Sequence, residues 1–200
     1  IARPALQRLC ETYWYPLYAF ARRQGFNAED SEDIVQGFFV SLVEHNGLAR
    51  VDRARGRFRA FLLASLRHYI SIFRDHQRAQ KRGGGRELVS LDAAAAEERY
   101  HLEPADHDLT PERAFDRQWA LALLDRAIGR LREEHVAAGK LELFEALHDT
   151  LTGDRVTGGY AACGGKLGMS EGAVKVAVHR LRQRYREILR EEVAATTASP

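Results

Sequence analysis

From Tyr160 to Arg184 the chain reads Tyr-Ala-Ala-Cys-Gly-Gly-Lys-Leu-Gly-Met-Ser-Glu-Gly-Ala-Val-Lys-Val-Ala-Val-His-Arg-Leu-Arg-Gln-Arg, and no other stretch narrows the possible folds as far. It predicts a short helix, a tight turn and a longer basic helix. Leu167-Gly168 marks a helix end, because glycine takes the positive φ through which a chain leaves a helix, and Ser170 is a favourable N-cap for the longer helix. About three residues remain for the turn between them. Beyond it Val174, Ala177, Val178, Leu181, Tyr185, Ile188 and Leu189 recur at helical spacing and form one apolar face. Lys175, His179, Arg180, Arg182, Gln183 and Arg186 point elsewhere.

A unit that packs one face of its second helix and presents a basic face is the arrangement with which a helix-turn-helix enters a DNA major groove. There, first-turn side chains meet bases and arginines meet phosphates. A basic amphipathic helix alone is often only a solvated surface; the tight turn before it moves the reading toward DNA.

The upstream sequence reads as helix throughout. Leu6, Leu9, Cys10, Tyr13, Leu17 and Phe20 mark an amphipathic helix from Pro4 to Arg23, ended by Gly25. Asn27 caps the next, whose first turns carry Glu29, Asp30, Glu32 and Asp33. The helix dipole favours acids there, but one or two would suffice, so the surplus suggests a cationic partner protein. A third helix spans about Arg57 to Gln80, and ten Lys/Arg against two acids lie between Arg50 and Arg82. Aromatic rings among that much positive charge suit single-stranded nucleic acid, whose backbone is held by cations while its bases stack on rings. His68, Tyr69 and the arginines are the candidates for contact; Phe58, Phe61 and Phe73 are expected mostly in the core.

Charge is distributed unevenly. Residues 1–82 carry 14 Lys/Arg against 8 Asp/Glu, residues 83–112 carry 2 against 8, and residues 113–200 carry 14 against 12. Gly83-Gly-Gly85 lacks the strand and the Lys-Ser/Thr of a phosphate-binding loop, and the acidic segment after it, containing Pro104, reads as a flexible linker with one short helix over Ala93–Tyr100. Thr110-Pro111-Glu112 restarts order with an N-cap, a proline at the first helical position and an acid in the first turn. Further helices run to Val136 and from Leu141 to Leu151. The expected fold is therefore all-α, with two small helical domains, 1–82 and 113–200, joined by an acidic flexible linker, 83–112, and a helix-turn-helix in the second domain. Gly164 and Gly165 each cost about 1 kcal/mol relative to alanine in a helix, so the first helix of that unit is expected to be short or irregular.

Several classes of function are set aside. No apolar run approaches the roughly 20 residues that cross a bilayer, and no signal peptide is evident at Ile1, so a cytoplasmic protein without membrane attachment is expected. Cys10 and Cys163 are far apart and lack metal-ligand spacing. His101, Asp106, His107 and Asp108 show no repeated spacing, so no metal site and no cofactor are expected. No nucleophile, base and orienting group occur together, so no enzymatic activity is expected.

Two stretches identify a family. Asp30-Ser-Glu-Asp-Ile-Val-Gln-Gly-Phe-Phe-Val-Ser-Leu42, followed by Phe58-Arg-Ala-Phe-Leu-Leu-Ala-Ser-Leu66, and Leu167-Gly-Met-Ser-Glu-Gly-Ala-Val-Lys-Val-Ala-Val-His-Arg-Leu-Arg182 resemble the two halves of a bacterial RNA polymerase sigma factor of the extracytoplasmic-function (ECF) type. The likeness covers roughly residues 5–82 and 113–192. It implies that Asp30, Glu32, Asp33 and Gln36 bind core RNA polymerase. It implies that Arg55, Arg57, Arg59, Arg67, His68, Tyr69, Arg74 and Arg78 melt and hold the minus-10 promoter element as single strand, while Ser170, Glu171, Lys175, His179, Arg180 and Arg182 read the minus-35 element as duplex. An anti-sigma factor or other protein regulator is a further implied partner. Residue 61 is Phe where the family commonly has Trp, and residue 68 is His where it commonly has Asn, so no minus-10 sequence preference is carried over. The alternative is a free-standing helix-turn-helix transcriptional regulator that binds duplex DNA without polymerase.

Overall fold

The computed structural model describes residues 3–44, 58–80, 91–103, 109–153 and 158–197, and within them all regular structure is helical. The helices are α1 (Arg3–Arg23), α2 (Ala28–Glu44), α3 (Phe58–Gln80), α4 (Leu91–Leu102), α5 (Pro111–Ala137), α6 (Leu141–Leu147), α7 (Gly159–Leu167) and α8 (Glu171–Thr197), with a 3-10 turn at His148–Leu151 after α6. The chain divides into two compact units, one formed by Ile1–Ala122 with Thr196–Pro200 and the other by Leu123–Ala195. None of the described helices is long and apolar enough to cross a membrane.

Local chemistry starts and stops these helices much as the sequence suggests. Gly25 takes φ +92° after α1, and the Asp30 N–H donates to the Asn27 side-chain oxygen at 2.7 Å to cap α2. Thr110 accepts from the Arg113 N–H at 3.3 Å, and Gly139 turns the chain at φ +66° between α5 and α6.

In the first unit, Leu17, Tyr18, Phe20, Ile34, Val35, Leu62 and Leu66 are fully buried between α1, α2 and α3. Tyr13 joins them edge-on to Phe58, with ring centres 5.7 Å apart. Its other side stacks on Phe115 of α5 at 6.4 Å. This enclosure pushes the Tyr13 hydroxyl up to about 12, burial being the main cause. Gly37 makes room for Tyr69: a Cβ there would overlap the Tyr69 hydroxyl and force the ring to shift.

The segment 83–112, expected as a flexible linker, contributes an ordered helix to this unit. The short helix expected over Ala93–Tyr100 is real and longer, and α4 packs on α1 and α2. It is held mainly by polar groups, since Ala96 is buried whereas Leu102 is 79% exposed. Tyr18 donates to Glu97 at 2.5 Å, Arg22 grips both oxygens of Glu97 at 2.9 and 2.6 Å, and Tyr15 donates to Glu103 at 2.5 Å. The Arg99 guanidinium lies 4.0 Å over the Tyr15 ring. Two of the acids that give the segment a linker-like composition, Glu97 and Glu103, are thus partners for donors on α1. The boundary between the units also differs from the expected start at 113. It falls within α5, after Ala122, because Phe115 fills the space beside Tyr13.

The second unit has its own core of Ala127, Leu131, Phe144, Leu147, Cys163, Val174, Val178, Leu181 and Ile188, drawn from α5 to α8. A ladder of ion pairs joins α5 to α8. Glu192, 4% exposed, receives Arg126 at 3.1 Å and Arg130 at 2.7 Å. Glu134 receives two nitrogens of Arg184, at 2.9 and 2.7 Å. Burial opposes the charge on Glu192, yet hydrogen bonding from Arg130 and the field of Arg126 hold its carboxyl below the usual range.

Candidate nucleic-acid interface

The turn between α7 and α8 occupies Gly168, Met169 and Ser170. Gly168 leaves α7 at φ +65°, and the Met169 N–H donates to the Gly164 carbonyl at 2.8 Å, the closing bond of a Schellman cap. Ser170 then caps α8 by accepting the Ala173 N–H at 3.2 Å. A Cβ on Gly164 would lie 2.5 Å from the Met169 carbonyl oxygen, so only glycine lets the turn fold back this closely. α7 is short, at nine residues, but runs unbroken through Gly164 and Gly165. The glycine that reads as a weakness in sequence is a requirement of the turn.

The six residues expected to meet duplex DNA on α8 and its cap do not share one fate. Ser170, Glu171, Lys175, His179 and Arg180 are exposed along the first turns of the helix. Ser170 spends its hydroxyl on the cap. Lys175 pairs with Glu171 at 2.6 Å and lies 5.6 Å over the Tyr160 ring. That hydrogen bond, with the Glu171 charge, raises the lysine pKa. His179 and Arg180 meet no hydrogen-bond or ion-pair partner among the described residues. Arg182 is turned inward: its Nε and one terminal nitrogen donate to the Thr150 carbonyl at 3.1 and 2.9 Å, closing the 3-10 turn below. The expectation that Arg182 grips phosphate therefore meets a guanidinium already committed to the backbone. Val176, which sequence reading passed over as apolar, is 49% exposed beside Lys175. It edges a groove of about 660 Å³ lined also by Leu143, Met169, Ala177 and Arg180. Its signal was there, since residue 176 falls outside the 174/178/181 core register.

On α3 the expected single-strand contacts are similarly divided. Arg59 forms an ion pair with Asp116 at 3.0 Å, and its guanidinium lies 4.1 Å over the Trp119 ring. Arg67 pairs with Glu112 and lies 5.9 Å from the centre of the Phe20 ring. Arg74 rests 4.9 Å over Phe26 and donates to the Gln24 carbonyl at 3.3 Å. Tyr69 stands edge-on to Phe38 at 6.0 Å against Gly37; burial, and then the Asp33 charge, raise its pKa. Its ring is a packing element and not a free stacking platform. His68 is exposed. Arg55, Arg57 and the side chain of Arg78 lie outside the described residues. Sequence reading missed Glu112, Asp116 and Trp119 as partners of this face; the only local signal was an acid in the first turn of α5.

The acids of α2 also separate. Asp33 is exposed, though partial desolvation of its carboxyl against the helix, followed by the charge of Asp30, raises its pKa. Asp30 accepts from Gln77 of α3 at 2.6 Å. Glu32 is 5% exposed and receives the Gln36 side chain at 2.7 Å, so it faces the helix packing and not a partner. Gln36 is itself exposed. No group of His, Cys, Asp and Glu among the described residues is arranged to hold a metal ion. No family model, no curated protein and no solved structure matches the chain.

Proposed function

We propose that this chain is a promoter-recognition subunit of the sigma type: it docks on core RNA polymerase through α2, holds opened DNA on α3, and reads duplex DNA with a helix-turn-helix made of α7 and α8. One observation carries the reading most of the way. A Schellman-capped α7, a three-residue turn and a serine-capped α8 leave Lys175, Val176, His179 and Arg180 outward on one helix face. That is the exposure a recognition helix needs. The two motif stretches, one in each compact unit, support the same reading.

The free energy for strand opening in such a subunit comes from holding exposed single strand more tightly than duplex, with no bond made or broken. On α8, Lys175 and His179 are assigned to bases and Arg180 to phosphate. On α2, Asp33 is the acid most available to a cationic surface of polymerase, with Asp30 and Gln36 beside it. The acidic segment 83–112 has a structural part in this reading through α4, rather than serving as linker throughout.

Transcription with purified core polymerase tests the proposal. Defined start sites should appear only when this chain is added, and Asp33→Arg should abolish them without lowering thermal stability. Failure to form a complex with core would sink it. The burial of Glu32 is the observation that favours a free-standing DNA-binding regulator, because it removes one docking acid. That reading expects tight binding to duplex promoter DNA by the chain alone.

A further inference from the structure

Among the described residues, Arg59, Arg67 and Arg74 of α3 are not free. Arg67 and Arg59 stand two helical turns apart on α3 and meet Glu112 and Asp116, one turn apart on the first turns of α5. Trp119, the next residue along that face of α5, lies under the Arg59 guanidinium. Arg59 is therefore held by a carboxylate at 3.0 Å and an indole face at 4.1 Å. A nucleotide offers a guanidinium the same two things, an anion and a stacking ring.

We propose that the first turns of α5 imitate a nucleic-acid strand. Glu112 and Asp116 occupy the phosphate positions of Arg67 and Arg59, Trp119 occupies a base position, and single-stranded DNA must displace these side chains to bind. The inference rests on the reading of α3 as a single-strand surface and adds its regulation. The imitation is anchored in the fold. Phe115, fully buried between the two acids in sequence, keeps this part of α5 on the first unit's core, so the acids stay near the arginines. Competition is consequently intramolecular, at an effective concentration that free DNA at low concentration does not match. A chain so built binds DNA weakly alone and needs a second source of binding energy, such as polymerase, to hold a strand on α3.

Full-length Glu112→Gln/Asp116→Asn and wild type should be titrated against a fluorescent mixed-sequence single-stranded oligodeoxynucleotide, reading anisotropy. The variant is expected to bind about tenfold more tightly, with a salt dependence steeper by roughly 1.4 in logarithmic slope, as two further phosphates are neutralised at about 0.7 each. Unchanged affinity in a folded variant overturns the proposal. So does an equal gain in a charge-matched control, Glu29→Gln/Glu44→Gln, whose sites on α2 are exposed. The single variant Asp116→Asn, at a side chain 55% exposed, keeps the test available if the double variant does not fold; there a gain of at least threefold is expected, and no gain overturns the idea. Adding Arg59→Gln and Arg67→Gln to the double variant should erase the gain, and a persistent gain again counts against the imitation. Polymerase-dependent transcription separates the two readings. If Arg59→Gln/Arg67→Gln in the wild-type background abolishes promoter opening while acid neutralisation leaves free affinity unchanged, the sigma reading stands and the strand imitation falls.

Discussion

The carbonyl oxygen of Met169 lies 2.5 Å from the position that a Cβ on Gly164 would take. Gly165, the next residue, has nothing within 4 Å of its own such position. Two adjacent glycines with the same helix propensity thus have opposite roles. Gly164→Ala is expected to cost roughly 1–3 kcal/mol, because backbone must shift to admit the methyl group. Gly165→Ala is expected to stabilise by about 0.5–1 kcal/mol through helix propensity. Urea titration of both variants checks the pair; equal effects would mean that the turn does not approach α7 as described.

Tyr69 and Gly37 are coupled across α2 and α3 through the end of a side chain rather than through backbone. Gly37→Ala should destabilise the first unit by about 1–3 kcal/mol through overpacking. Tyr69→Phe in the same chain removes the hydroxyl that the new methyl group would strike, and should recover part of that loss. A double-mutant cycle measures this recovery as an interaction energy, and strict additivity would refute the contact.

Arg180 and Arg182 separate stability from DNA binding. Arg182→Ala removes two donations to the Thr150 carbonyl and should lower stability by about 1–2 kcal/mol. Arg180→Ala should leave stability unchanged, weaken duplex binding across sequences, and lower the logarithmic salt slope by about 0.9, as the loss of one phosphate contact does. Thermal melts and anisotropy titrations at several salt concentrations check both variants.

Glu192 ties stability to pH. Its carboxyl is held below the ordinary value despite burial, through Arg130 and Arg126, so the folded chain binds its proton less readily than the unfolded chain. The stabilisation is therefore present in full above the unfolded value of about 4.3 and is lost as pH falls through the lower folded value. Glu192→Gln should cost on the order of 1–3 kcal/mol at pH 7, and the gap to wild type should narrow below about pH 4. Denaturant titrations at both pH values test this; a gap that widens in acid has the wrong sign.

Helix existence and helix ends were legible because both are written within a few residues of themselves. Asn27, Thr110 and Ser170 cap the residue three positions on. Gly25, Gly139 and Gly168 stop helices by a backbone angle that their neighbours rarely adopt. The apolar register of α8 likewise assigned Val174, Val178 and Leu181 to the core and left Lys175, His179 and Arg180 outside.

What the amino-acid sequence determined by itself was an all-helical chain, its helix register, and a basic face on α8 after a three-residue turn. Only the tertiary structure decided which charges are spent. Glu112 meets Arg67 across 45 residues of chain, Glu97 meets Arg22 across 75, and Arg182 reaches the Thr150 carbonyl across 32. Composition counts such residues as solvated charge or as linker, because an ion pair between distant positions leaves no periodicity to read. The physical reason is the range of the forces. Capping and helical registry act over one or two turns, whereas pairing and burial depend on which helix surfaces the cores of the two units bring together.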